Sequence, residues 1–125
     1  KPELATEAAQ YELLRAPSSA GTGESLVFVL RVTNAGTTTW NVAQDREVRL
    51  GAQLFDSNGV MIQRDYGRFE IPAVRPGGRV EVSLNIPAPS TPGDYSIRFD
   101  LVREGVHWFE NHGSQPVSRG IAVRK

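Results

Sequence analysis

The chain of 125 residues contains no cysteine, so it can form neither a disulfide framework nor a thiolate metal site. It has no apolar run long enough to span a bilayer and no segment with the pattern of a signal peptide. An excess of one charge is also lacking, because 14 basic residues balance 14 acidic ones and the two kinds are interspersed. We therefore expect no nucleic-acid partner and no membrane span, and we favour a cytoplasmic location.

What is present suits a globular domain, since 39% of the residues are apolar and 22% are charged. A chain of this length predicts one domain. The first residue is Lys1 rather than methionine, which suggests a domain taken from a longer protein. We expect residues 1–9 to be a flexible lead-in and residues 10–125 to form a single domain.

Several segments alternate apolar and polar residues with the period of two that is typical of half-buried strands. Turn signals separate these segments at intervals of about 8–12 residues, which favours an all-β sandwich over a closed barrel. The sequence Asp56–Gly59 between two of them contains Asn-Gly, which predicts a tight hairpin turn. The predicted strands are Gln10–Arg15, Ser25–Asn34, Glu47–Phe55, Val60–Ile62, Phe69–Val74, Arg79–Ile86, Asp94–Arg103, Val106–Glu110 and Val117–Arg124.

The segment HWFENH concentrates groups that could do chemistry, with His107, Glu110 and His112 within six residues. A metal site on a helix would need spacings of three and four, as in H-x-x-E-H, whereas the spacings here are three and five. In a strand, His107 and Glu110 would face opposite sides. We therefore interpret these residues as polar neighbours of a buried tryptophan and predict no metal ligands among them.

Trp108 and Phe109 are adjacent, so strand alternation allows only one of them to point into the core. We expect Trp108 to fill the core as a large aromatic residue, with a position on the surface or in a groove as the alternative. Trp40 follows a strand and is expected to close one end of the sandwich. The sequence DYGRF, which carries Tyr66 and Arg68, is predicted to lie in a polar–aromatic loop that could contact a ligand.

Nothing in the sequence assembles a catalytic site. No serine lies in a G-x-S-x-G elbow, and the two histidines are close together in one predicted loop. Paired carboxylates of the glycosidase type are improbable in a small sandwich with no evident cleft. We predict that the chain is not an enzyme and that it has no cofactor and no metal.

Four segments carry a resemblance to known families: NAGTTTW (Asn34–Trp40), PGG (Pro76–Gly78), IPAPSTPGDY (Ile86–Tyr95) and FDLVREGVHWF (Phe99–Phe109). In this order they resemble the immunoglobulin-like four-tryptophan domain of selective autophagy receptors. They look closer still to immunoglobulin-like modules appended to bacterial glycosyltransferases and other polysaccharide-assembly proteins. A looser similarity is to the carbohydrate-binding β-sandwich at the end of polysaccharide-exporting transporters. The chain departs from the four-tryptophan pattern because it has two tryptophans.

The resemblance covers residues 18–124 and implies an immunoglobulin-like antiparallel β-sandwich of about eight or nine strands. Tyr95 resembles the corner tyrosine of such sandwiches, whose hydroxyl bonds to the backbone. The implied function is a non-catalytic accessory module of a bacterial glycan-assembly or glycosyltransferase protein, which binds an oligosaccharide or polysaccharide or positions the catalytic domain of its parent. The alternatives are a protein-interaction domain that docks a peptide or partner at a sheet edge and, with less support, a small hydrolase. The residues predicted to contact a ligand are Tyr66, Arg68, His107, Trp108, Glu110 and His112.

Overall fold

Nine β-strands and one short 3₁₀ helix form within the residues that the computed structural model describes, which are 6–42 and 47–125. The predicted lead-in therefore lies partly outside the described residues. No helix in these two ranges is long and apolar enough to cross a membrane. The strands are β1 (Ala9–Arg15), β2 (Ser19–Gly21), β3 (Ser25–Asn34), β4 (Val48–Phe55), β5 (Met61–Glu70), β6 (Arg79–Pro87), β7 (Gly93–Arg103), β8 (His107–Trp108) and β9 (Val117–Arg124), and the 3₁₀ helix is Phe109–His112.

The strands form two sheets that pack as a sandwich. One sheet has the order β1-β3-β6, and the other has the order β2-β9-β7-β4-β5, with β8 added beside β7. Neighbouring strands are antiparallel, except that the three-residue strand β2 runs parallel to β9. The predicted all-β, immunoglobulin-like sandwich is confirmed.

Strand alternation builds the core between the sheets. In β3, every second residue from Leu26 to Val32 is fully buried, as the sequence pattern predicts. Phe28 of β3 meets Phe99 of β7 edge to face, with ring centroids 5.0 Å apart. Burial of each such side chain contributes about 1.5–3 kcal/mol, so these contacts hold the two sheets together.

The β4–β5 hairpin forms where Asn-Gly predicts it. The Asp56 side chain accepts hydrogen bonds from the N–H groups of Asn58 and Val60, both at 2.9 Å. Gly59 adopts a φ of 79°, which a side chain would disfavour. The turn fixes how β5 pairs with β4 along the edge of the larger sheet.

The prediction of a loop around Tyr66 and Arg68 is wrong, because both residues belong to the continuous edge strand β5. Backbone pairing with β4 overrides the polar composition, and a register shift opposite Ala52 and Leu54 accommodates the irregular sequence. The predicted strand Val106–Glu110 is shorter than expected. After Trp108 the chain turns into the 3₁₀ helix.

Two predicted structural roles at the ends of the sandwich are confirmed. Trp40 is fully buried and pairs with Val74 through an isolated bridge. The Tyr95 hydroxyl donates a hydrogen bond of 2.8 Å to the carbonyl of Thr91, as a corner tyrosine does.

Candidate functional site

The adjacent aromatics Trp108 and Phe109 point to opposite sides of the larger sheet. Phe109 is fully buried and meets Trp40 edge to face at 5.6 Å, whereas Trp108 is half-buried. Alternation correctly predicts that only one of the two rings enters the core. The expectation that Trp108 is that ring is wrong, because the core space beside Trp40 is occupied by Phe109 and the indole lies on the outer face.

Gly51 of β4 provides the space that the indole occupies. A Cβ atom at this position would lie 2.6 Å and 2.7 Å from the far carbons of the six-membered ring of Trp108. Such distances are far shorter than a van der Waals contact, so any side chain here would displace the indole. A glycine on one strand therefore determines where a tryptophan from another strand can lie.

The Arg68 side chain of β5 reaches the same ring. Its guanidinium carbon lies 4.6 Å from the ring centroid, in the geometry of a cation–π contact. Two carboxylates hold this guanidinium: Asp65 at 2.5 Å and Glu104 at 3.3 Å. The ion pairs fix the guanidinium over the indole, and together they define a rigid edge of the surface.

His107 lies beside a second ion pair, which connects the start of the described chain to β7. Both oxygens of Glu7 accept hydrogen bonds from Arg103, at 2.5 Å and 2.6 Å, and His107 Nε2 lies 3.1 Å from Glu7 Oε1. Although burial acts to raise the pKa of Glu7, the hydrogen bonds and charge of Arg103, with the help of His107, lower it overall. Glu7 is thus held as a carboxylate near neutral pH.

His112 stacks against His107, with ring centroids 4.1 Å apart. Within residues 6–42 and 47–125, no three histidine or carboxylate side chains are grouped as a metal site requires. The His107 ring also lies against Phe109, with centroids 5.8 Å apart, so both imidazoles contact residues of the 3₁₀ helix or belong to it.

The Glu110 side chain lies 3.3 Å from Arg98, while its backbone N–H donates to Asp100 at 2.8 Å. Asp100 is almost fully buried and also accepts a 2.7 Å hydrogen bond from the Tyr11 hydroxyl. Burial raises the pKa of Asp100 to about 6, and the hydrogen bonds from Tyr11 and Glu110 oppose that rise. This network depends on Tyr11 from the other sheet, so the alternation within β7 gives no signal for it.

Tyr66 lies apart from these residues. It packs against the core, and its hydroxyl donates to the carbonyl of Pro87 at 2.5 Å, which connects the edges of the two sheets. Burial raises the pKa of Tyr66 to about 12.

Two surface depressions border the predicted site residues. The first, which we call the Trp108 cleft, measures 310 Å³ and is lined by Arg64, Asp65, Arg68, Trp108 and the segment 102–107. It brings together Arg68, His107 and Trp108 of the six predicted ligand contacts. The second, the β1 groove, measures 580 Å³ and runs between residues 8–11 and the segment 112–117, with His112 at its border.

Comparison with known proteins places the fold and the family. The family model described as the Ig-like domain from next to BRCA1 gene matches residues 14–123. No curated protein matches the sequence.

Three solved structures illustrate the fold. A CARDB domain from Pyrococcus furiosus is 14% identical with a TM-score of 0.64, over 97% of this chain and 98% of that one. The C-terminal domain of wzt is also 14% identical with a TM-score of 0.60, over 98% and 77%. A β-glucosidase from Listeria innocua, in complex with isofagomine, is 12% identical with a TM-score of 0.60, over 94% of this chain and 16% of that one.

These identities are low, so the three structures show a shared fold alone, and the β-glucosidase shares it over a small part of its length. The family match covers most of the chain, indicates an immunoglobulin-like module and points to no catalytic family. The chain belongs to the family of Ig-like domains from next to BRCA1 gene.

Proposed function

We propose that this domain is a non-catalytic binding module that binds carbohydrate in the Trp108 cleft. The observation that carries the proposal is the position of Trp108, which lies on the outer face of the larger sheet and lines a cleft together with Arg68 and Asp65. The part of the half-buried indole that lines the cleft can pack against the apolar face of a sugar while neighbouring donors and acceptors bind the hydroxyls.

The cleft suits a small or extended ligand that binds weakly. Its 310 Å³ are at the lower end of the range of about 300–1,000 Å³ for small-molecule sites, so one or two sugar rings would fill it. Arg68 is already positioned by two carboxylates, which reduces the cost of ordering it when a ligand binds. Repetition along a polysaccharide or in the parent protein would raise the overall affinity.

Two structural neighbours support this choice of ligand without deciding it. A mutant of the β-glucosidase of Listeria innocua has been solved in complex with laminaribiose, and the C-terminal domain of wzt has the same fold as this chain. In the β-glucosidase the matching region is one part of a longer chain. An accessory role beside a separate catalytic domain is therefore our proposal for this chain as well.

A glycan array followed by fluorescence titration tests the proposal. Trp40 is fully buried, so a ligand that enters the cleft should change the emission of Trp108. We expect oligosaccharide to quench the wild-type protein and to lose binding to Trp108→Ala. The matched control is Phe55→Ala, because Phe55 also lies under an arginine, Arg98, at 4.5 Å. If Phe55→Ala weakens binding as much as Trp108→Ala does, the cleft is not the site.

A second candidate function is peptide docking along the free edge of β1. Ala9 donates its N–H to Ser114 Oγ at 3.0 Å, on the side of β1 that faces away from β3. Because N–H groups of alternate residues point to the same side, those of Tyr11 and Leu13 also point outward, toward the β1 groove. An extended peptide that adds a strand here would use both groups.

Amide hydrogen exchange tests this second candidate with extended peptides selected from a random library. Docking at β1 should slow exchange at Tyr11 and Leu13 and leave the free edge of β6 unchanged. Protection of the outward N–H groups of β6, such as those of Glu81 and Ser83, would instead assign the peptide to the opposite edge of that sheet.

A further inference from the structure

The charges around the Trp108 cleft compensate one another. The lining arginines are Arg64, Arg68 and Arg103, and the carboxylates are Asp65 and Glu104 of the lining together with Glu7, which binds Arg103. Three lining arginines thus meet three carboxylates, and Arg49, which lies 4.0 Å from Glu104, has its own carboxylate partner in Glu47 at 2.9 Å. The cleft presents many hydrogen-bonding groups and, with His107 neutral, no formal net charge among the described residues.

The ion pairs at the cleft are also short. Arg103 binds both oxygens of Glu7 through a two-pronged contact, and the shorter of the two distances is 2.5 Å. Arg68 contacts both Asp65 and Glu104 and also donates to the carbonyl of Gly67 at 3.2 Å. Two of the three arginines therefore have their charge satisfied within the protein before any ligand arrives.

These ion pairs discriminate against charged ligands. A carboxylate on the sugar would have to approach Arg68 between Asp65 and Glu104, and like charges would repel it. An ammonium group would meet the same difficulty beside Arg64 and Arg68. A neutral hydroxyl can donate to a carboxylate and accept from a guanidinium, so it binds both members of an ion pair without separating them.

We propose that the saccharide bound by the Trp108 cleft is neutral, and that the paired charges exclude uronic acids and amino sugars. This inference rests on the proposed carbohydrate-binding function and adds the chemical class of the sugar. Selectivity comes from arginines and carboxylates that already pair with one another in the free protein. The ligand supplies hydroxyls and an apolar ring face and brings no counterion.

Arg64 is the lining arginine that tests this inference most severely. It has no ion-pair partner among the residues that the structure describes, and its side chain is exposed on β5. If it recruited an acidic sugar, binding would weaken strongly with salt and with the substitution Arg64→Gln. A neutral oligosaccharide brings no charge for Arg64 to bind, so we expect Arg64→Gln to leave the selectivity unchanged.

The test uses an array of neutral, uronic-acid and amino-sugar oligosaccharides of equal length. The best neutral binder is then titrated against the same oligosaccharide with its primary alcohols oxidised to carboxylates. We expect the neutral form to bind about tenfold more tightly or better, and its affinity to change less than about twofold between about 50 and 500 mM salt.

A charge variant sharpens the test. Glu104→Gln leaves the Arg68 charge less compensated and should improve binding of the oxidised oligosaccharide relative to the neutral one. Glu70→Gln is the matched control, because Glu70 lies on the same strand as Arg68 but outside the cleft lining, and it should leave the ratio unchanged.

The outcomes distinguish the neutral-sugar inference from the broader proposal that the domain binds carbohydrate. Tighter, salt-sensitive binding of the oxidised or amino form that Trp108→Ala abolishes would overturn the neutral-sugar inference and leave the carbohydrate function in place. Absence of saccharide binding of any class would overturn both, and the peptide experiment at β1 would then distinguish the remaining candidate.

Discussion

Among the described residues, two arginine–aromatic pairs lie on the outer face of the larger sheet, and the pair of Arg68 and Trp108 borders the Trp108 cleft. Arg98 lies over Phe55 at 4.5 Å, much as Arg68 lies over Trp108 at 4.6 Å. The Arg98 side chain donates to Gln53 at 3.1 Å and lies 3.3 Å from Glu110, so it connects β4 to the 3₁₀ helix. The comparison teaches that stacking geometry alone does not mark a binding site.

The difference lies in what surrounds each aromatic ring. Phe55 is a strand residue beside the hairpin turn, whereas Trp108 extends from a two-residue strand and requires the open space at Gly51. Arg68 and its carboxylates line the Trp108 cleft, whereas Arg98 is hydrogen-bonded to Gln53 of β4. We therefore expect the two pairs to contribute similarly to stability and differently to binding.

The largest expected effect comes from a substitution at Gly51, which separates Trp108 from Arg68 by displacing the indole. In Gly51→Ala, the new Cβ would displace the indole, and we expect the free energy of unfolding to fall by about 1–3 kcal/mol. Sugar binding should be lost at the same time. Gly120→Ala is the matched control, because the nearest atom to its Cβ would be a carbonyl oxygen at 3.9 Å. Chemical denaturation measures both variants, and equal destabilisation would contradict the role assigned to Gly51.

The second prediction concerns Asp100, which holds the 3₁₀ helix that carries Glu110, the partner of Arg98. Asp100 holds the N–H of Glu110, and its pKa is raised from 3.8 to about 6 in the folded protein. The folded state therefore binds the proton more tightly than the unfolded state does, so stability should fall as pH rises from about 4 to about 6. We expect a loss on the order of 2 kcal/mol across this window.

Asp100→Asn removes the titrating group and keeps its shape, so this decline in stability should disappear. Denaturation curves at several pH values measure the effect, with Asp94→Asn as the control, since Asp94 forms an exposed pair with Arg124. If Asp100→Asn keeps the wild-type slope between pH 4 and 6, another group is responsible.

The smallest expected effect is a difference in sugar affinity between lysine substitutions at Arg68 and at Arg98. Arg68→Lys keeps the charge but loses the planar guanidinium, and we expect sugar affinity to fall about two- to fivefold, which corresponds to a cation–π contact of about 0.5–1 kcal/mol. Arg98→Lys should leave affinity unchanged within error. Isothermal titration of the two variants checks this difference, and an equal loss in both would remove the distinction between the pairs.

Local sequence pattern predicted much of the scaffold. Strands β3 and β9 have the bounds that alternation indicates, and the β4–β5 turn follows from Asn-Gly. The extension of β5 through Tyr66 and Arg68 was not predicted, because pairing with β4 is a property of the sheet rather than of those residues.

The site was predictable only in part, and for a similar reason. Alternation requires one of Trp108 and Phe109 to leave the core, but the choice depends on Gly51 and Trp40, which lie far away in sequence. The contact between Glu7 and Arg103 joins residues 96 positions apart. No local pattern carries that information.

The most direct test of the account follows the side-chain N–H signals of the protein by NMR during titration with a neutral oligosaccharide. The indole Nε1–H of Trp108 and the Nε–H of Arg68 should shift together as the saccharide is added, while the signals of Trp40 and Arg98 stay in place. Shifts confined to Arg98 and the loop around Glu110, with Trp108 unchanged, would contradict the assignment of binding to the Trp108 cleft.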